Sequence, residues 1–188
     1  MTMSGTDQLD ALRRQLDACD ARAERLAAAC TAVQWQARPA EGGWSPSECV
    51  QHLVLSVDAM LPRVEGALAD GRARQLTGTG PFGAGLLGRL LIWGLEPPYR
   101  MKSKTKPAFV PTTTRTPAED VATLRQAHDR VRAALADAAG LALDRLSIAS
   151  PFVERARYNA YAALAILPVH ARRHLWQAEQ TVRRSSAG

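Results

Sequence analysis

The sequence predicts an all-α protein, a four-helix bundle in up-down-down-up order with a long crossover between its second and third helices. Three observations carry that prediction. Apolar residues recur in alternating steps of three and four along alanine- and leucine-rich stretches, the spacing that lays a stripe down one face of a helix. Two segments open with the same helix-start chemistry, Ser45-Pro46-Ser47-Glu48 and Thr116-Pro117-Ala118-Glu119. The connection between the helices they start is rich in glycine and proline and far longer than a turn. Nothing reads as a set of β-strands. A chain of 188 residues fits one such domain, taken as residues 7–184 with flexible ends at 1–6 and 185–188.

The first predicted helix carries Leu9, Leu12, Leu16, Cys19, Ala23, Leu26, Cys30 and Val33 on one face, and Pro39, Gly42 and Gly43 break the chain after it. In the second, Ser45 caps, Pro46 takes the first helical position, where its missing N–H costs nothing, and Glu48 reaches back to the cap. This helix runs through His52, Met60 and Leu68, with a bend expected at Pro62 because proline removes a backbone donor. From residue 71 to 116 the pattern fails. Glycines precede a short apolar piece at Leu86 to Leu95, expected to make a helical turn or two, and then come Glu96-Pro97-Pro98-Tyr99-Arg100 and a stretch with Lys102, Lys104 and Lys106. Such a connection crosses a bundle or covers a site, and Tyr99, Arg100 and Lys102 read as solvent-exposed before they read as substrate contacts. The third helix has the stripe Val121, Leu124, His128, Val131, Leu135 and Ala138, stopped at Gly140. The fourth is expected from about Arg157 to Arg184, with Pro168 inside it at a cost of about 3 kcal/mol.

Composition excludes several classes. The net charge of +6 is modest and its arginines are scattered, so it reads as a solvated surface; no nucleic-acid motif accompanies it, and nucleic acid is not an expected partner. Three cysteines, Cys19, Cys30 and Cys49, have neither zinc-finger nor redox spacing, which points to a reduced, intracellular setting. The polar start, Met1 to Asp10, lacks the apolar stretch of a signal peptide. The most apolar run, Phe82 to Leu95, is interrupted by Arg89 and glycines and is too short to span a bilayer. A soluble, cytoplasmic protein with no membrane partner is the expectation.

The chemistry concentrates near the C-terminus. His170 and His174 stand four residues apart, which stacks two imidazoles on one helical face. Alone, such a pair fits two exposed histidines on an arginine-rich surface better than a metal site. Ala171 stands where a zincin peptidase carries glutamate, so this is not a protease motif. A third ligand is required, and His52 alone would be read as a core histidine. The predicted topology changes that weighting. Helices two and four run antiparallel, so the start of one and the later half of the other fall at the same end of the bundle. His52, His170 and His174 can therefore converge. His128, beside Asp129 on the third stripe, reads as a hydrogen-bonded or interfacial histidine before a fourth ligand.

Two segments carry a family resemblance: Gly43-Trp44-Ser45-Pro46-Ser47-Glu48-Cys49-Val50-Gln51-His52-Leu53, and His170-Ala171-Arg172-Arg173-His174-Leu175-Trp176-Gln177. In order and at this separation they resemble the tryptophan, helix cap, first histidine and paired-histidine segment of the DinB-like (DinB/YfiT-like) metal-binding four-helix bundles. The resemblance covers roughly residues 7–184, with only a loose match in the middle loop. It implies that His52, His170 and His174 bind one divalent metal ion, zinc or nickel foremost, with water completing the shell. It implies neither polymerase nor DNA-binding activity. Relatives include metal-dependent transferases and isomerases using low-molecular-weight thiols such as bacillithiol or mycothiol, and some hydrolytic members. The implied function is thus a metal-dependent thiol S-transferase, less favourably a hydrolase, acting on a small electrophile as a homodimer. The alternative is a metal-dependent binding or structural module without turnover. Around the centre, Glu48 is a base or only a helix cap, Cys49 a metal-facing or, more simply, a packed thiol, and Arg173 and Gln177 orient substrate or make surface contacts.

Overall fold

The computed structural model describes residues 3–98 and 105–185. Among them are six α-helices: α1 (Gly5–Ala28), α2 (Ala32–Gln36), α3 (Pro46–Ala73), α4 (Gly85–Leu95), α5 (Pro117–Asp137) and α6 (Ala160–Ser185). Two short strands, β1 (Ser147–Ala149) and β2 (Arg157–Asn159), pair antiparallel with Ile148 opposite Tyr158. The fold is mostly helical, as expected. Tyr99, Arg100, Lys102 and Lys104 lie outside the described residues.

The buried faces of α1 and α5 follow the sequence stripes. Leu9, Leu12, Leu16, Cys19, Ala23 and Leu26 are buried along α1, and Leu124, His128, Val131 and Leu135 along α5. Both expected capping boxes form: Ser45 Oγ accepts from the Glu48 N–H while Glu48 returns to the Ser45 N–H, and Thr116 and Glu119 repeat the exchange. Pro62 and Pro168 are carried inside α3 and α6.

Three local expectations are corrected. The first stripe does not continue to Val33, which is 80% exposed. The helix stops at Ala28, and Thr31 opens a capping box of its own with Gln34. A threonine side chain that binds a nearby backbone N–H offers the chain an alternative to continuing the helix. The short α2 that results buries Trp35 completely. The last helix begins at Ala160, because Arg157 to Asn159 are a strand and Asn159 Oδ1 caps the new helix by accepting from the Ala162 N–H at 2.8 Å. Three-residue strands are too short for period-two alternation to show in a sequence. The apolar piece in the crossover is longer than a turn or two; α4 lies against α6, and Gly88 permits the contact, since a Cβ there would come within 2.6 Å of Ala162 Cβ.

Cross-helix partners fix how the long helices lie. Along α1 and α6 they advance together: Gln8 with Tyr161, Gln15 with Arg172, Arg22 with Glu179. Along α1 and α5 the order reverses, from Asp17 with Arg132 through Asp20 with His128 to Glu24 with Arg125. On α3 and α5 it advances again, from Ser47 with Asp120 through Asp58 with Arg130 to Arg72 with the Asp137 carbonyl. A small apolar cluster of Cys19, Trp35, Cys49, Val50, Leu53, Leu124 and Leu175 fills the end of the molecule where α3 and α5 begin.

His128 has a structural partner. Its Nδ1 lies 2.5 Å from Asp20 Oδ1, and both side chains are buried. Burial works against the ionised Asp20 carboxyl, but the bond to His128 and the Arg132 guanidinium outweigh it and hold the carboxyl below its ordinary value. A carboxyl lowered in the native state stabilises the fold above its unfolded pKa, about 3.9, and that contribution fades as pH falls through the native value. Asp20→Asn should therefore lower stability by about 2 kcal/mol at neutral pH. In urea titrations the gap between parent and variant should narrow steadily below about pH 4; a gap that is constant with pH would refute the assignment.

Candidate metal centre

The capping box at Ser45 sets where α3 begins, and His52 follows two turns later, buried and facing α6. Pro168 precedes His170 and His174 on consecutive turns of α6. Each of the three histidines offers one ring nitrogen, and these atoms all lie within 4.8 Å of one another. Among the described residues this is the one group of three or more histidine, cysteine or acidic side chains close enough to share an ion. The rings surround a common point: centroids are 5.1 Å apart for His52 and His170, 4.5 Å for His52 and His174, and 4.6 Å for His170 and His174, at interplanar angles of 61 to 84°.

The hydrogen bonds of the rings suit a ligand set. His52 Nδ1 lies 2.8 Å from the carbonyl oxygen of Phe109. A carbonyl only accepts, so the proton sits on Nδ1 and the lone pair of Nε2 is left for a ligand. The Ser56 hydroxyl, 3.5 Å from that Nε2, donates instead to the His52 carbonyl at 2.8 Å. His174 Nδ1 is buried without a hydrogen bond of good geometry among the described residues, although the Gln177 side chain acts on the ring. An unsatisfied buried nitrogen is costly unless something coordinates it. All three rings are held neutral, the form that binds metal. Burial lowers the His52 pKa, opposed by the Phe109 carbonyl. Burial, then the charges of His52 and Arg173, pushes His170 down to about 3. Burial and the neighbouring histidines hold His174 well below its ordinary value.

Trp44 covers the group, edge-on to His52 at 4.7 Å and stacked on His174 at 5.7 Å. The connection from α4 to α5 closes another side. Besides the Phe109 carbonyl, it is anchored by Thr113 Oγ1, which donates to Gln51 Oε1 at 2.7 Å; Gln51 in turn donates to Ser47. Ser47 and Trp35 both donate to the buried Asp120 carboxylate. A cleft of about 840 Å³ opens over His174, its described walls including Trp44, Thr105, Val110, Arg173, Trp176 and Gln177.

The remaining expected site residues divide. Arg173 and Gln177 line the cleft. Glu48 accepts from the Ser45 N–H and pairs with Arg38; burial would raise its carboxyl pKa, but Arg38 and Ser45 hold it below the ordinary value, which makes it a weak base. Cys49 is packed in the apolar cluster, fully buried, and its thiol is pushed up by that burial. The Phe109 carbonyl had no signal in the sequence, because every residue carries one. Trp35 was missed because it lies in a helix too short to show a stripe.

The thiols give a check on this packing. Burial raises the Cys19 thiol to about 11 and also raises Cys30 and Cys49, but only Cys30 reaches the surface. At pH 8, a disulfide reagent should label Cys30 alone in the native protein and all three after denaturation. Rapid native labelling of Cys49, mapped by mass spectrometry, would show a different packing.

The family model described as the DinB superfamily matches the chain over residues 15–178, a span that contains all three histidines. Neither a curated protein nor a solved structure matches it. With the model spanning well over half its length, the chain belongs to the DinB superfamily.

Proposed function

We propose that His52, His170 and His174 bind one divalent metal ion, zinc or nickel, and that the protein uses it to transfer a low-molecular-weight thiol to a small electrophile, hydrolysis being the weaker alternative. The observation that carries this reading is the meeting of three neutral imidazoles with no fourth histidine, cysteine or carboxylate in the group among the described residues. Structural zinc is usually closed by four protein ligands, whereas catalytic zinc has three and an open position. When bound, the metal lowers the pKa of a water or thiol that occupies that position.

The chain's own residues supply the rest. His52 stays in one tautomer through the Phe109 carbonyl, Trp44 shields the rings from water, and Arg173 and Gln177 stand in the cleft where a substrate would be oriented. The long helices α1, α3, α5 and α6 are read as the up-down-down-up bundle, which the order of their cross-helix partners supports. A homodimer, on the resemblance, and a cytoplasmic setting, on the cysteine usage, belong to the same reading. No described helix is long and apolar enough to cross a membrane. The second reading, a metal-dependent binding module without turnover, draws on Glu48, whose commitment to Ser45 and Arg38 leaves the group without a ready base.

Metal content decides first. Protein purified without a His tag should hold close to one equivalent of metal, and His52→Ala and His174→Ala should lose it while keeping helical circular dichroism. A parent that takes up neither zinc nor nickel when loaded would end the reading. Thr113→Val tests the connection over the centre. Removing the donor to Gln51 should loosen the carbonyl that orients His52 and weaken zinc affinity by about tenfold in chelator competition; unchanged affinity would leave that anchor with no role at the centre.

A further inference from the structure

The turn between β1 and β2, residues 150–156, reaches the histidines. Ser150 shapes it: its Oγ accepts from the N–H groups of Phe152 at 3.2 Å and Val153 at 3.0 Å, and its own N–H donates to the Ala156 carbonyl at 2.9 Å. A serine hydroxyl that accepts from the backbone two residues on builds a local turn. This one leaves Phe152 half-buried while Val153 beside it is exposed. The Phe152 ring meets two others. Its centroid is 5.1 Å from that of Phe109 at an angle of 54°, and 6.3 Å from that of His170 at 43°. Both separations fall within the span of about 4.5 to 7 Å that paired rings prefer.

Phe109 is the residue whose carbonyl accepts from His52 Nδ1. It ends a 3₁₀ turn, Pro107–Phe109, in which Pro107 and Ala108 are exposed, as is Lys106 before them. A short turn on the surface has little packing of its own with which to aim a carbonyl. The Phe152 ring supplies support from outside the connection, on the same residue that carries the carbonyl. Trp44 lies against His52 and His174, and Phe152 lies beside His170, so each of the three rings has an aromatic neighbour besides the other histidines.

We propose that Phe152 is a positioning residue of the histidine centre: its ring holds Phe109 so that the Phe109 carbonyl keeps His52 in one tautomer, with Nε2 free for a ligand. The hairpin is then a buttress of the centre, and the support runs from Ser150 through Phe152 and Phe109 to His52. Groups that fix the tautomer and direction of a ligating imidazole typically change metal affinity by about 10- to 100-fold when removed. The inference deepens the proposed function and rests on that reading for the metal alone, because the tautomer of His52 is a property of the metal-free chain.

The experiment compares the full chain with Phe152→Ala and Phe152→Leu. In metal-free protein at pH 8, nitrogen-15 shifts of the His52 ring report which nitrogen carries the proton. The parent should show the Nδ1–H form, and Phe152→Ala a mixture of the two tautomers. Zinc affinity of Phe152→Ala in chelator competition should fall about tenfold. Phe152→Leu keeps apolar bulk against Phe109 but loses the ring, and should lie between parent and Phe152→Ala in both readouts. A residue that only stabilised the hairpin would lower the melting temperature and leave the tautomer as it was, and that outcome overturns the inference. So does a parent in which His52 already mixes tautomers, or a loss of zinc affinity with the tautomer unmoved. If Phe152→Ala loses its helical circular dichroism, Phe152→Leu decides: a His52 tautomer identical to the parent's overturns the inference. A tautomer change in a chain that takes up no zinc would uphold the buttress while the metal reading fails, so the two failures are distinguishable.

Discussion

Three imidazoles can share one point only if α3 and α6 hold a single register along their contact, and most of the structure serves that register. A slip of one residue turns a helical side chain by about 100° and would carry His52 away from α6. The Ser45–Glu48 capping box fixes where α3 starts. Below the histidines, Leu53 and Leu175 pack in one apolar cluster, and at the far end Tyr158 reaches Met60. Packing sets the distance between the helices, and it also makes an alternative register expensive, because close-packed interiors do not deform continuously. Asparagine at position 159, by capping α6, then determines which residues of that helix face inward.

Electrostatics around the centre are arranged by subtraction. The imidazoles are taken out of water and lose their protons, and two arginines of α6 are engaged elsewhere, Arg172 with Glu96 and Gln15 and Arg184 with Glu41. Asp20 and His128, a buried acid–histidine pair, lie between α1 and α5 and are held by Arg132. A carboxylate placed among the three rings would have raised their pKa values. Buried acids are present, but each is tied to donors outside the group; Asp120 accepts from Ser47 and Trp35.

Much of this was legible in the sequence. The stripes of α1 and α5, the two capping boxes and the meeting of His52 with His170 and His174 follow from periodicity, cap chemistry and connection lengths, all of which act locally or through helix direction. What was illegible falls into two kinds. Short elements, α2 and the strand pair, have too few residues for a period to emerge. Backbone participation, above all the Phe109 carbonyl on His52, depends on where a long connection comes to rest, and that is decided by tertiary contacts such as Thr113 with Gln51. The reach of the first stripe to Val33 failed for a further reason: spacing alone does not register that Thr31 can cap a new helix.

The walls of the cleft come from one helix and two connectors. His174, Arg173, Trp176 and Gln177 stand on α6, Thr105 and Val110 on the connection between α4 and α5, and Pro39, Glu41, Gly42 and Gly43 on the connector between α2 and α3, which is exposed at Glu41, Gly42 and Gly43 and meets the rings only at its end, through Trp44. Connectors of this kind tolerate insertion and deletion far better than packed helices do. A duplicated copy of this gene could lengthen or trim that segment and so admit a differently shaped guest, while the histidines and their support stayed as they are. In this architecture the shape of the cleft and the arrangement of the histidines are separable genetic problems.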